Sequence, residues 1–433
     1  MVSGHGLLAT EDPFVTDTST FPPLAAVDAP DHLAGLGDVV AEHVPDMSAA
    51  GGPTRHIGYL IGERPGAVAR ARAIVPRLRG QVTVFHRGVA PDIDEATLVA
   101  LPLSPAGAYA LNDAEADPVL GPETALLLAR WAVEQRPDLL IVDGPMDLAL
   151  LGRCTGLPIV PLRRPGAASG PVVGAVQDLA AAWLAPFPAS LESADVPPEV
   201  RRRTLYAGLV SRFEGRGLGR RAARRRLGLD EDGRHVTVLI GGETPPVDAS
   251  RFEQAAATAS AWTFSIVGNC SGVHTDSERL HFHGWCDDVF THLRAADVVI
   301  ATSSTSAVAD VAAAGRPLAL VPGRDAASME LAVGLEQLGA AVVLDDWPGP
   351  LTWPALLADL LDQPTKPLRS LADGRASKRA AQWIDAWAAA PPRDPRGMRA
   401  DDREAEEASQ RAQDRQPLLR DGTPPPFATA AQP

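Results

Sequence analysis

Thr302-Ser303-Ser304-Thr305-Ser306 sets five side-chain hydroxyls in a row between the apolar run Val298–Ala301 and an Ala/Val-rich segment, Ala307 to Ala314. A Ser/Thr loop that opens a helix offers N–H groups and hydroxyls to a phosphate, and Ser306 is the expected N-cap by residue type. Gly241-Gly242 makes a second anion site. It closes the run Val236–Ile240, and a helix is expected from near Ser250. Two glycines at a strand end let backbone amides approach a diphosphate, and the dipole of the following helix favours the anion. Thr244 adds a hydroxyl there, while Glu243 is unfavourable unless it turns away or a cation bridges it. His281 and His283 share one strand face, with His292 one helix later, but no cysteine or carboxylate cluster completes a metal site. No bound metal or cofactor is therefore expected. Cys154, Cys270 and Cys286 are odd in number and far apart, which suits a reducing cytoplasm better than a disulfide framework.

The elements that must position these groups alternate short apolar runs with helical segments. Strands are expected at His56–Ile61, Val82–Phe85, Leu139–Asp143, Leu157–Pro161 and Ala182–Phe187, with helices from Ala67 to about Leu78 and from about Glu123 to Gln135. The second half repeats the pattern with strands Val236–Ile240, Trp262–Val267, one beginning at His281–His283, Val298–Ala301, Leu318–Val321 and Ala341–Leu344. Its helices are expected from near Ser250, at Asp287–Ala295, Ala307–Ala314 (closed by Gly315) and Ala326–Leu338 (closed by Gly339). This is the grammar of parallel α/β sheets covered on both faces. It predicts two doubly wound units, 55–210 and 211–390, with a ligand cleft between them and closing helices at the end of the second. Residues 1–54 hold eight acidic and no Lys or Arg residues, and read as a disordered leader; 391–433 reads as a disordered tail.

The 433 residues carry 40 Lys+Arg against 54 Asp+Glu, a net charge of −14, which argues against a dedicated nucleic-acid partner. The distribution is uneven, because residues 201–226 hold ten Arg and one Glu, a net +9. That stretch predicts a basic rim for a small anionic ligand, over which the acidic leader can fold. No apolar run reaches the length of a membrane span.

The run HGWCDDVFTHLRAADVVIATSSTSAVADVAAAGRPLALVPGRDAASMELAVGLEQLGAAVVL resembles the C-terminal domain of MurG-type glycosyltransferases. In that family the segment reads roughly Gly-aromatic-x-Asp-Asp-Met, a helix, Ala-Asp-Val-Val-Ile, a Ser-Gly loop, and Glu-x-x-Ala-Ala-Gly-x-Pro. Upstream, YAGLVSR is similar to the linker motif Gly-Asn-Pro-Val-Arg, and RRRLGLDEDGRHVTVLIGGE to the run-in to the first strand and glycine loop. The resemblance covers about 206–346 well and 55–205 in outline. It implies a GT-B fold, two Rossmann-like domains that bind a nucleotide-sugar donor such as UDP- or dTDP-hexose, without metal. It puts Arg212 on the diphosphate, Asp310 on the two ribose hydroxyls, and the backbone of Cys286 beside the base. Ser303, Ser304, Thr305 and Ser306 fall on the phosphate loop, and Asp325 on the donor sugar.

Several family positions differ here. The loop glycine is Ser304 and its threonine Ala307; the ribose glutamate is the shorter Asp310; the sugar-binding amides are absent around Asp325-Ala326-Ala327-Ser328. The acceptor-side loop is Gly62-Glu63-Arg64-Pro65-Gly66-Ala67, with Ala67 where the family carries histidine. An inverting transfer needs a base within about 3 Å of the acceptor hydroxyl. Glu63, Asp143 and His86, at strand ends, are the substitutes on hand. The expected function is inverting transfer of a hexose-type sugar to a glycan, lipid-linked or small-molecule acceptor, with peripheral membrane contact an open option. A sugar-nucleotide epimerase or hydrolase, and a non-catalytic homologue that binds the nucleotide sugar, are the alternatives.

Overall fold

The computed structural model describes residues 55–62, 64–88, 90–102, 121–166, 170–241, 245–273 and 276–389. The expected leader, the expected tail, and Glu63, Gly242 and Thr244 lie outside the described residues.

The first half runs β1 (His56–Ile61), α1 (Pro65–Ile74), β2 (Gln81–His86), β3 (Thr97–Ala100), α2 (Pro122–Gln135), β4 (Leu139–Asp143), α3 (Met146–Cys154), β5 (Ile159–Pro161), α4 (Pro171–Leu179), β6 (Trp183–Ala185), α5 (Pro198–Arg202) and β7 (Thr204–Tyr206). Five of its strands form a parallel sheet in the order β3-β2-β1-β4-β5. β6 pairs with β7 and continues the sheet through a parallel bridge between Leu162 and Leu184. β1 and β4 are buried along their whole length, as continuous apolar runs in a two-faced sheet must be. Helix α1 starts two residues earlier than expected, because Pro65 is a natural first residue, and it gives way near Pro76 to a single 3-10 turn. β3 falls in a stretch that reads as irregular; as an exposed edge strand it has no buried apolar run to announce it.

The second half runs α6 (Arg220–Arg226), β8 (Arg234–Ile240), β9 (Val247–Asp248), α7 (Ser250–Thr258), β10 (Trp262–Gly268), β11 (Cys270–Ser271), β12 (Leu280–Gly284), α8 (Val289–Ala295), β13 (Val298–Thr302), α9 (Thr305–Ala314), β14 (Leu318–Val321), α10 (Ala326–Gln337), β15 (Val342–Val343), α11 (Trp353–Asp362), α12 (Lys366–Ser370) and α13 (Ala376–Ala389). Its six-stranded sheet is parallel throughout, in the order β12-β10-β8-β13-β14-β15. Strand order reverses between β1 and β4 in the first sheet and between β8 and β13 in the second. At such switch points the loops after the strands part and leave a crevice.

The last helix does not stay with the second sheet. Trp383, Ile384 and Trp387 of α13 join the buried cluster of Ile57, Ala71, Ile74 and Ile141 in the first half. Its first turn is tied to the segment that connects the halves: Glu214 accepts from Ser377 N at 3.0 Å and from Ser377 Oγ at 2.5 Å. Among the described residues no helix is long and apolar enough to cross a membrane.

Candidate active site

A cavity of about 1280 Å³ lies between the halves, lined by the switch point of the second sheet on one side and by α1 and the loop after β2 on the other. On the second-half side, the Gly241 amide after β8 donates to Thr302 Oγ1 at the end of β13, 2.8 Å away. This bond stitches the two strands together where they begin to diverge. A Cβ at Gly241 would stand 3.0 Å from that same oxygen, so the glycine allows the close approach. Gly268, at the end of β10, is more constrained still. Its φ is +110°, and a Cβ there would meet the carbonyl oxygen of Ile240 at 1.9 Å. Only glycine fits, yet one glycine after a strand carries no signal in the sequence.

The N-cap of α9 is Ser304, not Ser306. Ser304 Oγ accepts from Ala307 N at 3.2 Å, and the helix begins at Thr305 rather than Ala307. Any of five consecutive Ser/Thr residues satisfies the chemistry of a cap, and backbone geometry alone selects one. Ser303 is buried and donates to the Ser328 carbonyl at 2.8 Å. Ser303, Ser304 and Ser306 line the cavity; Thr305 does not.

The earlier helix start moves Asp310 into the second turn, so it is not a first-turn acid that complements the helix dipole. Its carboxylate is buried and accepts from Ser211 Oγ at 2.7 Å, with Arg212 Nε 3.5 Å away as an ion pair. Burial pushes the Asp310 carboxyl up to about 6, even though Arg212 and Ser211 pull it down. Arg212 also stacks over the ring of Phe213, its guanidinium carbon 4.8 Å from the centroid. Both Arg212 and Asp310 line the cavity. Ser211, which holds Asp310 in place, lies beside Arg212 in the sequence and had no motif to single it out.

The other arginines of 201–226 do not make a basic rim. Arg224 is fully buried and donates to the carbonyls of Ala295, Glu231 and Gly233 and to Asp297; Arg203 donates to those of Ala180 and Gln177. Only Arg212 of that stretch lines the cavity. Arg216, Arg220, Arg221 and Arg225 are spent on ion pairs with Asp288, Asp297, Asp232 and Glu231, which composition alone cannot distinguish from a ligand site.

Cys286 lines the cavity beside Trp285, an indole that is 57% exposed. Burial and the neighbouring Asp288 push its thiol up to about 11, so it stays protonated and is no nucleophile at neutral pH. Asp325 caps α10, accepting from Ser328 N at 3.1 Å and Ser328 Oγ at 2.5 Å. It also accepts from Arg164 Nη2 at 2.7 Å, an ion pair that crosses the cleft. Burial works to raise the Asp325 carboxyl, but the Ser328 bonds and Arg164 outweigh it and hold it below the ordinary range.

The acid–base candidates of the first half are set back from the cavity. Asp143 and His86 sit at the ends of β4 and β2, but neither lines it. Both Asp143 oxygens are engaged by Arg70, through Nε at 2.8 Å and Nη2 at 2.6 Å. His86 is buried, and that burial lowers its basicity. Its neighbours Arg87 and Gly88 do reach the cavity, as does Arg72 of α1. Both arginines escaped the sequence reading, because no motif marks them. The histidines of the second sheet lie elsewhere: the His283 and His292 rings are 4.3 Å apart, and neither lines the cavity. Among the described residues no group of three or more His, Cys, Asp or Glu could hold a metal ion.

No protein-family model and no curated protein matches the chain. Solved structures do. UGT89C1 of Arabidopsis thaliana, solved with UDP-L-rhamnose, matches with a TM-score of 0.58 at 13% identity, over 78% of this chain and 100% of that one. MurG of Acinetobacter baumannii matches with a TM-score of 0.51 at 15% identity, over 76% of this chain and 98% of that one. A putative UDP-N-acetylglucosamine 2-epimerase of Listeria monocytogenes matches with a TM-score of 0.51 at 14% identity, over 76% and 95%. The chain therefore has the GT-B fold, two Rossmann-like domains facing each other across a cleft, as its resemblance to MurG implies. The fold houses both glycosyltransferases and an epimerase, so chemistry has to be argued from the site.

Proposed function

We propose that this protein is a nucleotide-sugar-dependent glycosyltransferase that moves a hexose-type sugar from a UDP- or dTDP-linked donor to an acceptor, with inversion. The observation that carries the reading is the Arg212–Asp310 pair, set in the cleft beside the switch point of the second sheet. A carboxylate that accepts two vicinal hydroxyls is suited to a ribose, and a guanidinium beside it to a diphosphate. When the donor enters, Asp310 accepts the ribose hydroxyls and Arg212 turns to the diphosphate. The Gly241 loop, with Gly242 and Thr244, and the hydroxyls of Ser304 and Ser306 stabilise the charge that grows on the leaving diphosphate. The backbone at Cys286 meets the base, and Asp325 meets the donor sugar on the side where Arg164 crosses the cleft. For the base that deprotonates the acceptor, Glu63 is favoured, because Asp143 has both oxygens engaged by Arg70 and neither Asp143 nor His86 lines the cavity. Three unpaired cysteines support the cytoplasm as the compartment.

A second reading, a binding protein that keeps the nucleotide sugar without turnover, is favoured by the ion pairs that occupy both Asp143 and Asp325. One experiment separates the two. UDP and dTDP are titrated by thermal shift, and the tighter-binding nucleotide is then supplied as its sugar conjugates with a panel of acceptors. Release of free nucleoside diphosphate that depends on the acceptor supports transfer, whereas stabilisation with no release supports binding alone. In the same assay Asp310→Ala is expected to weaken nucleotide binding by about tenfold or more, the worth of a charged hydrogen-bond acceptor. Unchanged affinity would remove the ribose assignment.

A further inference from the structure

His281, His283 and His292, which the sequence places together without completing a metal site, lie behind the cleft wall with a fourth histidine, His235. Residues in register on neighbouring parallel strands share a face, and β8, β10 and β12 align His235 with Thr263, Thr237 with Ser265, and Ser265 with His281. The opposite face is apolar: Val236, Val238, Phe264 and Ile266 pack with Phe252 and Trp353. The polar face is the one toward α8, where Thr237 Oγ1 donates to the His292 carbonyl at 3.0 Å. There the rings of His283 and His292 stand 4.3 Å apart, and His283 Nε2 lies 3.3 Å from Ser265 Oγ. Nδ1 of His292 and both ring nitrogens of His235 are buried without a hydrogen-bond partner among the described residues. An imidazolium needs an acceptor for each N–H, so burial holds these rings neutral. It pulls His292 down to about 4 and His235 to about 3, and lowers His283 as well. Neighbouring histidines add to this, His283 acting on His292 and His281 on His283. Two carboxylates work the other way, Asp276 on His283 and Asp288 on His292, and Asp288 is shared with Arg216 at 2.8 Å. Arg220 and Arg224 of α6 are paired with Asp297, and Arg224 still repels a proton on His235. Arg294 of α8 donates to the carbonyls of Leu218 and Ala314, and Asp310 of α9 is held by Ser211 and Arg212.

The two closest rings bracket a single loop. His283 is near the end of β12 and His292 is in α8, and between them Trp285, Cys286, Asp287 and Val289 line the cavity. We propose that His283 and His292 are an acid-labile clasp: as neutral rings they hold the base of this loop together, and protonation opens it and loosens the cleft wall. That this wall serves a nucleotide rests on the glycosyltransferase reading above; the clasp itself does not. Linkage fixes the direction. A histidine held neutral in the closed loop returns to its ordinary value of 6.5 once the loop opens. Closure is therefore complete above about pH 6.5 and weakens as pH falls toward about 4.

Amide hydrogen exchange of the full chain without nucleotide, at about pH 7.5 and about pH 5 and corrected for the intrinsic rate, reads the clasp directly. Protection of residues 284–291 is expected to fall at least about tenfold between the two, since each histidine freed at about pH 5 favours opening by up to about thirtyfold. Residues 318–337, which span β14 and α10, are the internal reference and are expected to change less than about threefold. His283→Gln, at the exposed end of β12, is expected to reduce the fall to about half on a logarithmic scale, and His283→Gln with His292→Gln to remove it. Thermal melts at about pH 7.5 show whether each variant folds, and the single variant decides if the double one does not. No fall in the wild type, an equal fall in the reference segment, or an undiminished fall in His283→Gln overturns the proposal. UDP affinity, titrated by calorimetry at the same two pH values, is expected to drop about threefold more in wild type than in His283→Gln. Ionisation of UDP and of Asp310 is common to both proteins and cancels. Equal drops overturn the link from the clasp to the cleft wall. If UDP binds at neither pH, the donor reading fails, and the exchange experiment still decides the clasp.

Discussion

Asp310 and Arg212 hold each other in a compromise that a ligand can relieve. The Asp310 carboxyl is buried and would ionise at about 6 rather than near 3.8, so its charge at neutral pH is carried at a cost. A raised acid in the folded state contributes stability that is complete below its unfolded value and is lost as pH rises through the folded one. The window is therefore about pH 4 to 7, and the loss across it amounts to at most about 3 kcal/mol. Asp310→Asn keeps the shape and cannot ionise. Its melting temperature relative to wild type is expected to climb between about pH 5 and pH 7.5, on either side of the folded-state ionisation. A difference that stays flat with pH would contradict the assignment. The pairing itself is not legible in the sequence. The family resemblance marks both residues separately, but that they touch, with Ser211 as a third partner, is a product of the fold.

At the scale of elements, the Ser/Thr loop and the first turn of α9 depend on which hydroxyl caps the helix. Ser304 accepts from Ala307 N, whereas Ser306 is inside the helix and only approaches the Ser304 hydroxyl, at 3.4 Å. Ser304→Ala is therefore expected to cost about 1 kcal/mol in chemical denaturation, and Ser306→Ala a few tenths at most. Equal losses would mean that both hydroxyls serve the cap. Buried strands are the most legible part of the chain, because β4, β13 and β14 are nearly continuous apolar runs with glycine, proline or serine nearby. The exposed edge strand β3 and the helix α3 escape a reading of the sequence, the one for want of an apolar run and the other because Pro145 at its N-cap supplies no side-chain cap. The helix cap is misplaced for a different reason. Sequence supplies the residue type, but the φ of −142° and ψ of 146° that make Ser304 the cap follow from how β13 ends.

At the scale of the whole molecule, the two halves are joined by a return of the chain as well as by the connecting segment. The sequence suggests closing helices for the second domain, and nothing in the pattern of Ala376–Ala389 tells which core its apolar face will cover. In the structure that face covers the first half, where it buries Trp383, Ile384 and Trp387 against strands more than 200 residues earlier. Arg379 donates to the Ala207 carbonyl, the Leu209 amide to that of Leu371, and Glu214 receives the first turn of α13. The first domain therefore depends on the crossing. Burial of three large side chains contributes about 1.5–3 kcal/mol each, a sum comparable with the roughly 5–15 kcal/mol of an ordinary domain. A chain ending at Arg375 is expected to lose the cooperative unfolding of the first half, and a chain ending at Ala389 is its reference, so that the difference belongs to α13 alone. Pulse proteolysis reads the outcome: cleavage within residues 55–200 should rise sharply in the shorter chain, while the second half stays protected around its own cores. Glu214→Ala tests the anchor without removing the helix. It leaves the Ser377 amide and hydroxyl unpaired in a buried setting and is expected to cost about 2 kcal/mol. If the chain ending at Arg375 resists the protease as its reference does, the first half is self-sufficient and the return of α13 serves only to set the width of the cleft.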